Sequence, residues 1–488
     1  MLAGFLTVPY IVRGLGANAY GILSIAWMVL GYFSIFDLGL SRATVKFVAE
    51  SLKSEDTTRV PELVWTSLTM LIAFGTAGGL AVAAAVPFVV TRFLTLPPAF
   101  VSEAELSLLI LSLSMPIMLG NDALRGVLEA TQRFDLVNLV KAPASVCFYL
   151  LAAVAIPFHI RVSGIVALLA LVRLTSACAY LALCLKVLPG LRLHVSVSLK
   201  ALRPLASYGG WVMVSNVTGP ILSSIERLLI GSVLSVAMLT YYSVPLDLVG
   251  KLLIFPASIA PALFPYFSQR GSKRRSEVSE VSSQALKYMF VTMSPLVVLF
   301  VCFARDILTL WMGPEFAAHS TTVLQLTAIT ILINAFGYVP YSSVQALGRP
   351  DLKAKLDLLM VFVYAASAWW LMHLLGLTGA ALAKLLITAA DTSCLLAFAR
   401  HMKAFSAKAC ISAVGARMPL VAGALLLGGV AIHRMQAGTV ASSGLFALLC
   451  LFYAVAVWYW VMDGNERLVM ARAVWYSPSK QDSAVMAR

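Results

Sequence analysis

Apolar runs of 18 residues or more recur from one end of this chain to the other. Each is long enough to cross ~30 Å of hydrocarbon as a helix. Hydrocarbon offers no partner to a backbone N–H or C=O, so a crossing segment must satisfy those groups internally, as a helix does. Between charged or Pro/Gly-rich breaks the runs define fourteen spans: Met1–Val12, Tyr20–Val45, Leu63–Val90, Leu106–Thr131, Leu136–Phe158, Ser163–Leu185, Leu205–Ser232, Met238–Phe267, Ala285–Phe303, Thr321–Leu347, Leu356–Leu375, Thr378–Ala399, Ala413–Ile432 and Ser442–Met462. The fold class that follows is all-α, a polytopic integral membrane protein. Only 12% of the 488 residues are charged, against 60% apolar, about half the charge of a soluble chain. That excludes secreted, disordered, coiled-coil and nucleic-acid-binding proteins, and leaves a water-soluble enzyme short of solvating charge.

The net charge of +14 is a topology signal. Even-numbered connections, the C-terminal tail and the adjoining opening turns of spans at Lys141, Lys287 and Arg417 hold 25 of the 36 Lys and Arg, odd-numbered connections hold 5, and 6 lie elsewhere in spans. By the positive-inside rule both termini are cytoplasmic, and no nucleic-acid partner is expected. The basic run Arg270–Arg275 is a membrane anchor for anionic lipid heads. Seven cysteines stand singly, six histidines are dispersed, and no nucleotide, nucleophile or metal motif occurs, so neither a cofactor nor an enzymatic activity is expected. Any pumping draws on an ion gradient, the substrate gradient or a separate protein. Met1–Val12 gives only ~18 Å of helix, so the start of the first span is expected to be missing from this chain.

A weak internal repeat divides the chain. The segment Leu128–Leu136 after span 4 matches Val344–Leu352 after span 10, and Ser163-Gly164 opening span 6 matches Thr378-Gly379 opening span 12. Six spans separate the equivalents, so the halves share orientation, as in parallel-repeat transporters with a site at their interface. The expected domains are bundles over 1–190 and 191–402, two further helices over 403–465, and a cytoplasmic tail over 466–488. Span 8 carries Pro245, Pro256, Pro261 and Pro265, which predicts a functional bend. Gly75 and Gly79 form a small-x-x-x-small pair suited to helix packing.

Besides Lys141, Lys287, Asp357 and Arg417 in the opening turns of their spans, twelve charged residues lie inside the spans: Arg42, Arg125, Arg173, Arg227, Lys251, Lys384, Asp37, Asp122, Glu129, Glu226, Asp247 and Asp391. Each costs ~2.5–3.5 kcal/mol at the bilayer centre, so each must face a bundle interior or a wet cavity. Asp122–Arg125, Arg125–Glu129 and Asp247–Lys251 are spaced to pair along one helix face. Arg173 sits mid-span with no acid within a turn. Its planar fork suits an anion from another helix or a diphosphate; Arg42, Arg227 and Lys384 are weaker versions of the same case. Asp391 lacks an i±3 or i±4 partner and is the best acid for proton or cation coupling, although an interhelical base could equally pair with it.

Several segments, in order, resemble one family: Leu15–Gly21, Asp37–Arg42 with Lys46–Glu50, Leu124–Asp135, Ile225–Gly231, Pro261–Pro265, Trp311–Phe316 and Leu347–Asp351. Over about the first 400 residues the chain resembles the polysaccharide-transporter, or oligosaccharide flippase, family of the multidrug/oligosaccharidyl-lipid/polysaccharide exporter superfamily. Glu226 stands where relatives often have Asp. The resemblance implies two six-helix bundles around a cationic cavity that flips an undecaprenyl-diphosphate-linked oligosaccharide by alternating access. It implies a bacterial inner membrane, surrounding lipids, and a polysaccharide polymerase and chain-length regulator as pathway partners. Arg173, Arg42, Arg125, Arg227 and Lys384 are then the expected diphosphate or acidic-sugar contacts, and Asp391, Asp37 and Asp122 the expected ion-coupling acids. The rivals are a cation-coupled drug exporter, whose cavity should be acidic, a peptidoglycan-precursor flippase, and a membrane polymerase or ligase. That enzyme should carry a large outer loop; the longest here is about 16–18 residues.

Overall fold

The computed structural model describes residues 2–32, 40–53, 59–193, 196–197, 218, 221–222, 224–270, 275–347, 349–402, 404–405, 417–435, 439–464 and 466–467. Among them every regular element is helical. In chain order the longer helices are α1 (Leu2–Leu15), α2 (Ala17–Tyr32), α3 (Leu40–Lys53), α4 (Arg59–Phe88), α5 (Pro98–Ala130), α6 (Phe134–Ala155), α7 (Val162–Val187), α8 (Val236–Gly250), α9 (Ile254–Arg270), α10 (Arg275–Cys302), α11 (Ala304–Trp311), α12 (Pro314–Ala346), α13 (Pro350–Leu375), α14 (Leu377–His401), α15 (Arg417–Arg434) and α16 (Thr439–Ala456). Among the described residues ten helical stretches are long and apolar enough to cross a membrane, and the apolar Ala17–Leu30 is shorter. The molecule is therefore a multi-pass membrane protein.

The count of fourteen crossings is not established by the described residues. The seventh expected span, Leu205–Ser232, lies mostly outside them. The second, Tyr20–Val45, is read as α2 up to Tyr32 and α3 from Leu40, with 33–39 outside the described residues. The eighth is interrupted next to its prolines. A 3₁₀ turn at Lys251–Leu253 parts α8 from α9, just ahead of Pro256. Without an N–H, Pro256 cannot bond the carbonyl of Leu252, and its ring crowds that carbonyl.

The repeat seen in sequence has a structural counterpart. α5 ends at Ala130 and α6 starts at Phe134; α12 ends at Ala346 and α13 starts at Pro350. The turns into α7 and α14 each use a left-handed residue, His159 at φ 53° and Gly376 at φ 58°.

The chain forms two compact units. The first comprises Met1–Lys251, Trp311–Val323 and Asp351–Ile387; the second comprises Leu252–Leu310, Leu324–Pro350 and Thr388–Arg488. α12 and α14 contribute residues to both. In the first unit a core of Leu40, Leu63, Leu71, Leu119, Leu128 and Tyr180 joins α3, α4, α5 and α7. Glycines set how closely α4 meets α5: a Cβ on Gly75 would stand 2.5 Å from Pro116 Cα, and one on Gly79 would stand 2.4 Å from the Ser112 carbonyl oxygen. The expected packing role of that pair is thus met. Gly21 works the same way between α2 and α8, its absent Cβ leaving room for the Val236 carbonyl. Nearby, Thr240 Oγ1 donates to Ala17 O at 2.6 Å. In the second unit Val298, Met418, Leu425, Phe446 and Val457 form the core where α10, α15 and α16 meet.

Candidate functional site

Ionisable side chains in an apolar helix must find a partner or a wet face, and the expected site residues meet that demand in three ways. On α5 one face carries Asp122, Arg125 and Glu129. Arg125 Nη1 is 3.3 Å from Asp122, and its Nε is 3.3 Å from Glu129. These are the two pairings the spacing predicts, and each side chain stays about a third or more exposed.

Arg173 on α7 is different. It is half-buried and makes no ion pair or hydrogen bond among the described residues. Its charge, with those of Asp122, Arg125 and Glu129, reaches the Tyr180 hydroxyl, which itself donates to Val137 O at 3.2 Å. Arg173 thus shares a neighbourhood with the α5 triad without being neutralised by it.

The third arrangement lies between helices and was only partly visible in sequence. Glu226, on helical residues 224–229, is fully buried, as are Tyr242 of α8 and Tyr364 of α13. Lys384 of α14 brings its ammonium to 3.2 Å from Glu226 Oε1. The same ammonium donates to Leu222 O at 3.0 Å and lies 5.1 Å over the Tyr364 ring. The next residue, Arg227, donates from Nη2 to Asp247 Oδ1 of α8 at 2.7 Å. The Tyr364 hydroxyl couples electrostatically to Glu226 and Tyr242, yet neither hydroxyl and neither Glu226 oxygen reaches hydrogen-bond geometry among the described residues.

Arg227 and Lys384, expected to meet an anion either from another helix or from a diphosphate, each pair with an acid from another helix. Asp247 pairs with Arg227 rather than with Lys251 four residues on. Arg42 lies on α3, with only its backbone described, and Asp37 lies outside the described residues. Asp391 is half-buried, two turns beyond Lys384 on α14 and within the second unit. Glu226, Tyr242 and Tyr364 were missed as a group; tyrosines in apolar spans carry no signal of what their hydroxyls meet.

A separate cavity of about 380 Å³ is lined by Gly14, Phe100, Glu103, His159 and Arg161 among others. There Glu103 accepts from Ser163 N at 3.2 Å and from Arg161 at 3.4 Å. None of the expected substrate or coupling residues lines it.

Comparison with known proteins agrees with this architecture. Residues 1–271 match the family described as polysaccharide biosynthesis protein. A Shigella flexneri protein described as an O-antigen transporter is 26% identical over 379 residues, which is 77% of this chain and 88% of that protein. Among solved structures, an inward-facing multidrug resistance transporter of the MATE family, MOP superfamily, has a TM-score of 0.74 at 15% identity, covering 82% of this chain and 95% of that one. A lipid II flippase in an inward closed conformation has a TM-score of 0.66 at 12% identity, covering 93% and 97%. These structural likenesses concern the fold.

Proposed function

The chain belongs to the polysaccharide biosynthesis protein family, and we propose that it flips a lipid-linked oligosaccharide across a bacterial inner membrane. The cargo is an undecaprenyl-diphosphate-linked repeat unit bound for O-antigen, capsule or exopolysaccharide. Similarity along most of the chain to a protein described as an O-antigen transporter supports this cargo. The termini are cytoplasmic, and the halves 1–190 and 191–402 rock about a central cationic cavity. A polymerase and a chain-length regulator act on the delivered unit.

The observation that carries the proposal is Arg173. A guanidinium in the middle of an apolar helix, with no ion pair among the described residues, is costly unless an anion visits it. A diphosphate matches its fork with two parallel hydrogen bonds. Arg42 and Arg125 assist as further positive charge; Arg227 and Lys384 contact cargo only in a state where their ion pairs open. Asp391, Asp37 and Asp122 are proposed coupling acids.

The test is complementation of a deletion strain. Arg173→Ala should abolish surface polysaccharide at unchanged protein abundance, and Arg173→Lys should retain part of it. Wild-type polysaccharide from Arg173→Ala would remove the residue from the cargo path.

A further inference from the structure

The surroundings of the Lys384 ammonium have the chemistry of a monovalent-cation seat. Its neighbours are the Leu222 carbonyl oxygen at 3.0 Å, Glu226 Oε1 at 3.2 Å, and the π face of Tyr364 at 5.1 Å. Three more oxygens in the same buried cluster make no hydrogen bond among the described residues: Glu226 Oε2 and the hydroxyls of Tyr242 and Tyr364. Glu226, Tyr242 and Tyr364 are all 0% exposed. Oxygen donors around a small cation in a dry interior are what hard monovalent and divalent ions take from proteins. Leaving such oxygens unsatisfied is expensive.

We propose that Lys384 is the built-in cation of this oxygen-lined site. The chain's own ammonium occupies the position that a free metal ion would otherwise fill. Charge supports the assignment. Glu226 and Asp247 face Lys384 and Arg227 in this cluster, two negative against two positive, and the phenol groups of Tyr242 and Tyr364 add no charge. A sodium ion entering beside the ammonium adds an uncompensated charge to a buried set and meets like-charge repulsion. It can enter only if the ammonium leaves.

The site itself stands on the geometry alone. Its consequence, that transport through this protein does not respond to sodium, rests on the translocation proposed above.

The test uses the full-length protein in detergent at about pH 8, where a carboxylate is ionised. Melting temperatures are compared in sodium, potassium and choline chloride at equal ionic strength. The wild type should melt at the same temperature in all three. Lys384→Met empties the seat and should gain a sodium-specific upward shift of at least about 2 °C at saturating salt. Glu226→Gln with Lys384→Met should lose that shift. If Lys384→Met can be purified only with sodium present throughout, that requirement is the same positive result. Failure in every salt, a folded Lys384→Met blind to sodium, or a sodium-specific shift in the wild type would each overturn the assignment. None of these readouts needs cargo, so a flippase without this site and this site in a protein that flips nothing give different results.

Discussion

Two buried charges in this protein are held by partners that lie far away in sequence, and the energetics of that pairing are testable at single side chains. Glu226 is fully buried beside Lys384, whose side chain is 15% exposed. Removing one member strands the other, at ~3–5 kcal/mol, whereas replacing both by apolar groups of similar volume costs little or nothing. Glu226→Leu should therefore lower the melting temperature in sodium-free buffer sharply, and Glu226→Leu with Lys384→Met should recover most of the loss. Equal destabilisation by single and double variants would contradict the pairing. Sequence showed part of this chemistry. Asp122–Arg125–Glu129 was legible because i+3 and i+4 neighbours on one helix meet whatever surrounds them. Lys384 with Glu226, and Arg227 with Asp247, were not, because no spacing rule states which helices adjoin. Arg173 was legible for the opposite reason: the lack of a local acid could be read directly.

At the scale of elements, glycines and prolines decide where helices can touch and turn. α4 meets α5 through Gly75 and Gly79, each lacking the Cβ that would collide with backbone at 2.4–2.5 Å. Gly79→Ala should force the helices apart and cost ~1–3 kcal/mol, read as a lowered melting temperature. Gly423→Ala in α15, where an added Cβ meets nothing within 4 Å, should leave it unchanged or slightly raised. The residues after α16 are fastened in another way. Lys287 of α10 donates to Glu466 at 2.8 Å, and Asp463 N–H donates to the same carboxylate at 2.9 Å. Burial pushes the Glu466 carboxyl up, but these donors, Lys287 foremost, hold it below the ordinary glutamate range. A lowered folded-state pKa gives stability that is present above the unfolded value and lost as pH falls through the folded one. Protection of the Asp463 and Glu466 amides, measured against their intrinsic exchange rates, should thus fall as pH drops below the ordinary glutamate range, and Glu466→Gln should show the lower protection already at neutral pH. The interruption of the helix in span 8, between α8 and α9, was legible from its prolines.

Across the whole molecule, the apolar runs and the asymmetry of basic residues establish what kind of protein this is before any contact is known. Helices along the chain, family membership over residues 1–271 and a fold shared with MOP-superfamily transporters agree with it. The parallel repeat was legible as short matches at nearly constant offset, and left-handed turns before α7 and α14 repeat it in backbone geometry. The compact units follow different boundaries, because helices such as α12 and α14 pass from one into the other. Periodicity along a chain carries no record of such exchange. The proposed cytoplasmic placement of the termini leads to a further expectation: a reporter fused after Arg488 that works only in the cytoplasm should be active, and a periplasmic reporter there should be silent.

The central claim is translocation, and the most direct measurement is the leaflet distribution of lipid-linked repeat units in a strain deleted for this gene. Loss of surface polysaccharide, with intact repeat units trapped in the inner leaflet and released by the wild-type gene, is the predicted result. Normal polysaccharide with altered drug susceptibility would contradict the account, as would cell death with peptidoglycan precursor trapped in place of the repeat unit.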